Sequence, residues 1–151
     1  MTMLNQSHAM GKVTTTIQVT NNVDQILATR GFIPTEEVRS LELDDVLVDT
    51  GASRLCLPAE TIRQLGLVLQ GEAEVKTAVG TRQVRIFKEV LLSVAGRQGT
   101  YNCLELPEGE EPLLGLIPLE DLGLEPDLQN QRLRLLPMEG KDTYLMILQA
   151  L

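Results

Sequence analysis

Alternation of apolar and polar positions begins at Val13. Val13, Thr15, Ile17 and Val19 fall on one side, and Thr14, Thr16, Gln18 and Thr20 on the other, which predicts a half-buried β-strand. Asn21-Asn22 reads as a turn. Residues 23–40 carry no clean period and fit a return strand followed by a loop around Gly31 and Pro34. Leu41 to Val48 reads as a strand ending in the apolar run Val46-Leu47-Val48. Pro58 then opens a short helix that puts Ile62 and Leu65 on one face and closes at Gly66, with proline at its start and glycine past its end.

Residues 67–106 look like antiparallel strands. Their turn signals are Gln70-Gly71, Val79-Gly80-Thr81, Gly96-Arg97-Gln98-Gly99 and the loop from Pro107 to Pro112. Leu113-Leu114-Gly115 follows, then a second short helix from Pro118 to Gly123, and strands are expected at 131–136 and 143–149. Residues 1–11 show no period and are expected to be a flexible N-terminal arm, leaving 12–151 as a single domain. The chain also echoes itself. An apolar strand, Asp49-Thr50-Gly51, Leu57-Pro58, a helix and Leu65-Gly66-Leu67 are matched by an apolar strand, Leu113-Leu114-Gly115, Ile117-Pro118, a helix and Leu122-Gly123-Leu124. Two similar units in one domain suggest a pseudo-twofold core, against the alternative that such helix caps coincide by chance.

Composition narrows the class. Of 151 residues, 43% are hydrophobic and only 3% aromatic, so a modest core must rest on Leu, Val and Ile. The net charge of −8 argues against nucleic acid as a partner, because phosphate binding needs a cationic surface. Two cysteines, Cys56 and Cys103, and one histidine, His8, are too few for a structural zinc site, and the expectation is two buried thiols and no metal. The chain has no apolar run long enough to span a membrane, and Met1 to Lys12 is too polar for a signal peptide. A cytoplasmic protein with no membrane partner is therefore expected.

The chemistry converges on Asp49, a carboxylate at the end of a buried strand, followed by Thr50 and by Gly51, which permits close backbone approach. Competing readings are weaker. Asp44, Asp45 and Asp49 can be read as an acidic metal cluster, with Asp45 and Asp49 on one side of a continuous strand, but further ligands are not visible. An aspartyl nucleophile of the phosphatase kind would need the alternating strand–helix order of a parallel sheet. No serine or cysteine nucleophile has a well-placed histidine to activate it.

Leu47-Val48-Asp49-Thr50-Gly51-Ala52-Ser53, together with Leu113-Leu114-Gly115 and Pro118-Leu119-Glu120 before Leu122-Gly123, resembles the retropepsin-like aspartic proteases. Ala78-Val79-Gly80-Thr81 stands where that family carries its flap, although with one glycine rather than several, and the stretch from Leu4 to Leu41 is longer than the minimal family form. The resemblance implies an all-β fold, a closed antiparallel barrel-like arrangement with one or two short helices. It implies an aspartic endopeptidase with no cofactor beyond water, acting on a peptide or protein substrate. Asp49 would be catalytic and would meet the partner's Asp49 in a homodimer, since two carboxylates sharing one proton supply both an acid and a base. Thr50 and Gly51 would support the active-site loop. Gly51 and Ala52, with Ala78, Val79 and Gly80 of the flap, would bind substrate. The terminal run Tyr144 to Leu148 would pair with the partner subunit. A catalytically silent dimerisation or peptide-binding module with the same fold is the alternative.

Overall fold

The computed structural model describes residues 12–137. The expected arm, His8 within it, and the expected strand at 143–149 with its Tyr144–Leu148 run lie outside the described residues.

The chain runs β1 (Thr14–Asn21), α1 (Asn22–Thr29), a 3-10 turn (Thr35–Glu37), β2 (Ser40–Val48), β3 (Leu55–Pro58), α2 (Ala59–Leu65), β4 (Val68–Thr77), β5 (Gly80–Val94), β6 (Arg97–Leu106), β7 (Leu113–Leu114), α3 (Leu116–Asp121), β8 (Leu124–Asp127) and β9 (Arg132–Leu135). The fold is all-β with short helices. One sheet holds the order β1-β2-β7-β3-β6-β5-β4, and a further pairing of β1 with β5 closes six of its strands into a ring from which β4 projects. Most pairings are antiparallel, as expected, but β2–β7 and β3–β6 run parallel. These parallel contacts lay the two repeated units side by side, with Leu47 and Val48 beside Leu113 and Leu114. Both repeated helices also end alike, at Gly66 and Gly123 with φ of 65° and 66°, a conformation open to glycine without steric cost.

Val19, Val46, Leu55, Leu57, Leu92, Leu114 and Leu122 are fully enclosed in the ring, together with Ile17, Leu65 and Leu119. Each fully buried aliphatic side chain contributes roughly 1.5–3 kcal/mol of transfer free energy. Two β-bulges set which residues face this core. Thr16 of β1 stands opposite both Asp44 and Asp45 of β2, and Asp45 takes φ 57°. Leu41 and Leu43 face inward before the bulge, Val46 and Val48 after it. An unbroken alternation would have sent Asp45 inward. The supposed common side of Asp45 and Asp49 on a continuous strand is thus corrected, and Asp44 accepts a hydrogen bond from the Thr16 hydroxyl at 3.0 Å. A second bulge, at Glu89 with φ 67°, shifts the inward set of β5 from Phe87 to Val90, Leu92 and Val94.

Three other expectations need correction. Asn21-Asn22 is a helix start rather than a turn, and the segment after it is α1 rather than a return strand. Asn21 is the N-cap: its side-chain oxygen accepts from the Asp24 N–H at 3.0 Å while its amide donates to the Leu65 carbonyl at 2.8 Å. The helices therefore number three among the described residues, one more than expected. Gln70-Gly71 lies within β4, where it absorbs a register shift against β5 instead of making a turn.

Candidate active site

Asp49 directly follows β2, where the parallel pairing with β7 runs out. Its N–H donates to the Leu114 carbonyl at 2.9 Å, and its carbonyl accepts from the Ala52 N–H at 3.1 Å. The carboxylate is aimed from within the same loop, for Oδ1 accepts from the Gly51 N–H at 2.9 Å. A Cβ built on Gly51 would stand 3.1 Å from that oxygen, so glycine keeps the approach open. Asp49 is half-buried, whereas Thr50 and Gly51 are exposed on the turn.

The second repeated element clamps this loop. Leu116 N–H donates to the Ala52 carbonyl at 2.8 Å and Ile117 N–H to the Ser53 carbonyl at 2.9 Å. Gly115 is what lets the two segments meet: a Cβ there would fall 2.3 Å from the Arg54 carbonyl oxygen and 2.8 Å from that of Ala52. α3 is fixed in turn from behind. Arg97 donates to the Leu122 and Gly123 carbonyls, each at 2.9 Å, and the Tyr101 hydroxyl donates to Asp121. Burial, reinforced by that carboxylate, pushes the Tyr101 pKa up, so the hydroxyl stays a donor.

A cleft of about 620 Å³ opens over Asp49. Its floor is Asp49, Gly51, Ala52 and Ser53, its back wall includes Cys56, Leu104 and Leu113, and its roof is the β4–β5 hairpin through Glu74, Val75, Lys76, Thr77, Arg82 and Val84. The expected loop residues Gly51 and Ala52 thus share the cleft with Asp49. Ala78, Val79 and Gly80 form the hairpin tip and stand beyond the lining of the single chain, with Val79 96% exposed. The sequence reading missed Arg82, Val84, Leu104 and Cys56 as lining residues. The alternation Arg82, Val84, Ile86 was the available signal, since it puts one face of β5 over the site.

Cys56 faces the cleft but does not supply a nucleophile. Burial first, and then the charge of Asp49, pushes its thiol up to about 11, and burial with Cys56 and Glu105 nearby pushes Cys103 up to about 12. Both cysteines are free and buried. Register explains why they do not pair: Cys56 lies beside Leu104, while Cys103 lies beside Leu55 on the opposite face. Among the described residues no cluster of three or more His, Cys, Asp or Glu side chains is assembled to hold a metal ion. No helix among them is long and apolar enough to cross a membrane.

Other acidic side chains border the cleft without standing as a second acid to Asp49. Glu105 is engaged by Arg85 through two hydrogen bonds of 2.8 Å, and Glu74 opposes Gln83 on the outer face of the hairpin. One carboxylate beside an exposed turn, under an extended hairpin roof, is half of what acid–base hydrolysis needs.

The family model described as gag-polyprotein putative aspartyl protease matches residues 42–121, from β2 to the end of α3. The matched span contains the Asp49 loop, the β4–β5 hairpin and the Gly115 clamp. The chain has no match among curated proteins.

Proposed function

From the premise that the chain belongs to this retropepsin-like aspartyl protease family, we propose that it is an aspartic endopeptidase whose active form is a homodimer, with Asp49 of each subunit forming the catalytic pair. The observation that carries this reading is the Asp49 loop itself: a single aimed carboxylate at the floor of a cleft, on a turn whose Thr50 and Gly51 are open to a partner. A twofold axis past that turn brings the two loops together, and Thr50 braces them across it.

The chemistry follows from a shared proton. The ionised carboxylate takes a proton from a water held between the pair, and the oxygen attacks the peptide carbonyl carbon. The protonated carboxylic acid donates to the carbonyl oxygen, giving a tetrahedral diol. Its collapse breaks the C–N bond as a proton passes to the leaving nitrogen. Side by side, two carboxylates resist double ionisation, so the pair titrates in two steps and works between them. Activity is accordingly expected to fall as pH rises through neutral. An extended substrate gains main-chain hydrogen bonds beneath the hairpin, and Val79 and Gly80 close over it to exclude water.

The test is cleavage of an unfolded protein and a diverse peptide mixture by the native chain and by Asp49→Asn, from acidic to alkaline pH. The substitution removes both acid and base roles, and a loss of at least ~10³-fold is expected. Equal cleavage by the two proteins, or a rate climbing steadily into alkaline pH, overturns the assignment. Sedimentation with a peptide-mimetic inhibitor is expected to show two chains per complex. A silent peptide-binding module predicts instead that the native chain binds peptides and cleaves none of them.

A further inference from the structure

We propose that Arg82 determines specificity, selecting extended peptides that carry an acidic side chain beneath the β4–β5 hairpin. The inference rests on the cleft being a peptide site, as argued above, and adds the chemical class of peptide.

Register defines the inner face of the hairpin. Val75 opposes Arg82, Ala73 opposes Val84 and Thr77 opposes Gly80. Directly opposed residues share a face, and alternate residues along each strand return to it. The inner face is therefore Ala73, Val75 and Thr77 against Val84, Arg82 and Gly80. Glu72, Glu74 and Lys76 belong to the outer face, where they oppose Arg85, Gln83 and Thr81. Arg82 is thus the charged residue of the inner face, while Glu74 and Lys76, which also border the cleft, do so from outer-face positions and carry opposite charges. It makes no ion pair among the described residues, unlike Arg85, which is bound to Glu105, and Arg63, which is bound to Glu108.

The surroundings make that charge consequential. Val75, Val84, Leu104 and Leu106 line the same cleft. A peptide laid under the hairpin removes water from the guanidinium as well as from these side chains. Covering a cation without supplying an anion loses hydration and returns nothing. A carboxylate at that position restores the lost interaction, and it can accept two parallel N–H bonds from the guanidinium fork. A lysine or arginine there meets like charge, so the same residue also rejects basic peptides. Asp49 does not cancel the effect: it acts on the main chain at the floor, while Arg82 acts from the roof on a side chain.

The experiment measures binding separately from cleavage. Inactive Asp49→Asn protein is titrated with labelled extended decapeptides that differ only in a Glu, Gln or Lys scanned along the sequence. At one position Glu is expected to bind about five- to tenfold tighter than Gln, with Lys weakest. Arg82→Glu in the same background is expected to invert the order, and Arg82→Gln to flatten it. Absence of peptide binding, absence of discrimination, or an order unchanged in Arg82→Glu each overturns the proposal. Cleavage of the same peptides by the native chain is scored in parallel. Discrimination that follows Arg82 without any cleavage leaves the recognition standing and removes the protease.

Discussion

The floor and the roof of the cleft are built on opposite principles. The floor is tied to the rest of the ring: the Asp49 N–H reaches Leu114, and Leu116 and Ile117 reach back to Ala52 and Ser53. Gly115 leaves no spare room at the contact. The roof is tied mainly to itself. From Gly80 to Arg85, β5 pairs with β4 alone, and pairing with β6 starts only at Ile86. The tip is closed by local bonds, the Thr77 hydroxyl to the Gly80 carbonyl at 2.7 Å and the Val79 N–H to that hydroxyl at 3.3 Å. A two-stranded ribbon has little stability of its own. The difference separates two tasks: the floor must hold a carboxylate in place before substrate arrives, and the roof must let substrate in.

The largest break in that comparison is Gly115→Ala. The new methyl would sit 2.3 Å from the Arg54 carbonyl oxygen and 2.7 Å from the Arg54 nitrogen. Both are backbone atoms, so relief requires the whole Asp49 loop to shift. A stability loss of about 2–3 kcal/mol is expected, as for overpacked interiors, with cleavage falling further than unfolding explains. Urea unfolding and peptide hydrolysis on one preparation read the two quantities. A variant as stable and as active as the native chain would mean that the floor is not held by this contact.

Asp24→Asn sharpens the comparison from outside the cleft. Asp24 is buried at the start of α1 and accepts from the Arg39 backbone N–H at 3.0 Å, its Nε at 2.8 Å and its Nη2 at 3.0 Å. The Arg39 side-chain hydrogen bond holds the Asp24 carboxyl below its usual 3.8, against the opposing effect of burial. Because the folded pKa is depressed, the contribution is fully present well above 3.8 and is lost as pH falls through that value toward the lower folded pKa. With Arg39 half exposed to solvent, a cost of roughly 1–2 kcal/mol near neutral pH is expected. Thermal unfolding as a function of pH checks the sign. Asp24→Asn should lose less stability on acidification than the native chain, with KM for peptides unchanged. A raised KM would show that the ring and the roof are coupled after all.

Sequence pattern was most informative where one short-range rule decides the structure. β1 showed its period, α2 showed proline before and glycine after, and Asp49-Thr50-Gly51 stood out because a polar triplet closes an apolar run. The echo between Leu65-Gly66 and Leu122-Gly123 was also legible, and their matching positive φ values explain it. What stayed hidden depends on contacts distant in sequence. α1 was obscured because Asn21 serves as cap and tertiary anchor at once, while Val23 and Ile26, which blur the helical pattern, remain exposed. The bulges at Asp45 and Glu89 reverse the inward parity in mid-strand, which no fixed period can show. The face of Arg82 is set by its pairing with Val75, a contact between strands that the local sequence does not display.

The smallest expected effect on stability belongs to the roof. Val79 is 96% exposed in the single chain, so Val79→Ala removes almost nothing from the folded core, and its stability should stay within about 0.5 kcal/mol of native. If the hairpin closes on substrate, however, those same methyl groups become buried in the complex. Losing part of about 0.8 kcal/mol per methyl-sized group should raise KM for peptides about three- to fivefold, with kcat little changed. That split is the opposite of the one expected for Gly115→Ala, where stability and turnover fall together. A Val79→Ala chain with native KM would mean that the tip stays in water throughout the reaction. The roof would then act through hairpin residues such as Val75, Thr77, Arg82 and Val84, which already line the cleft without any closure.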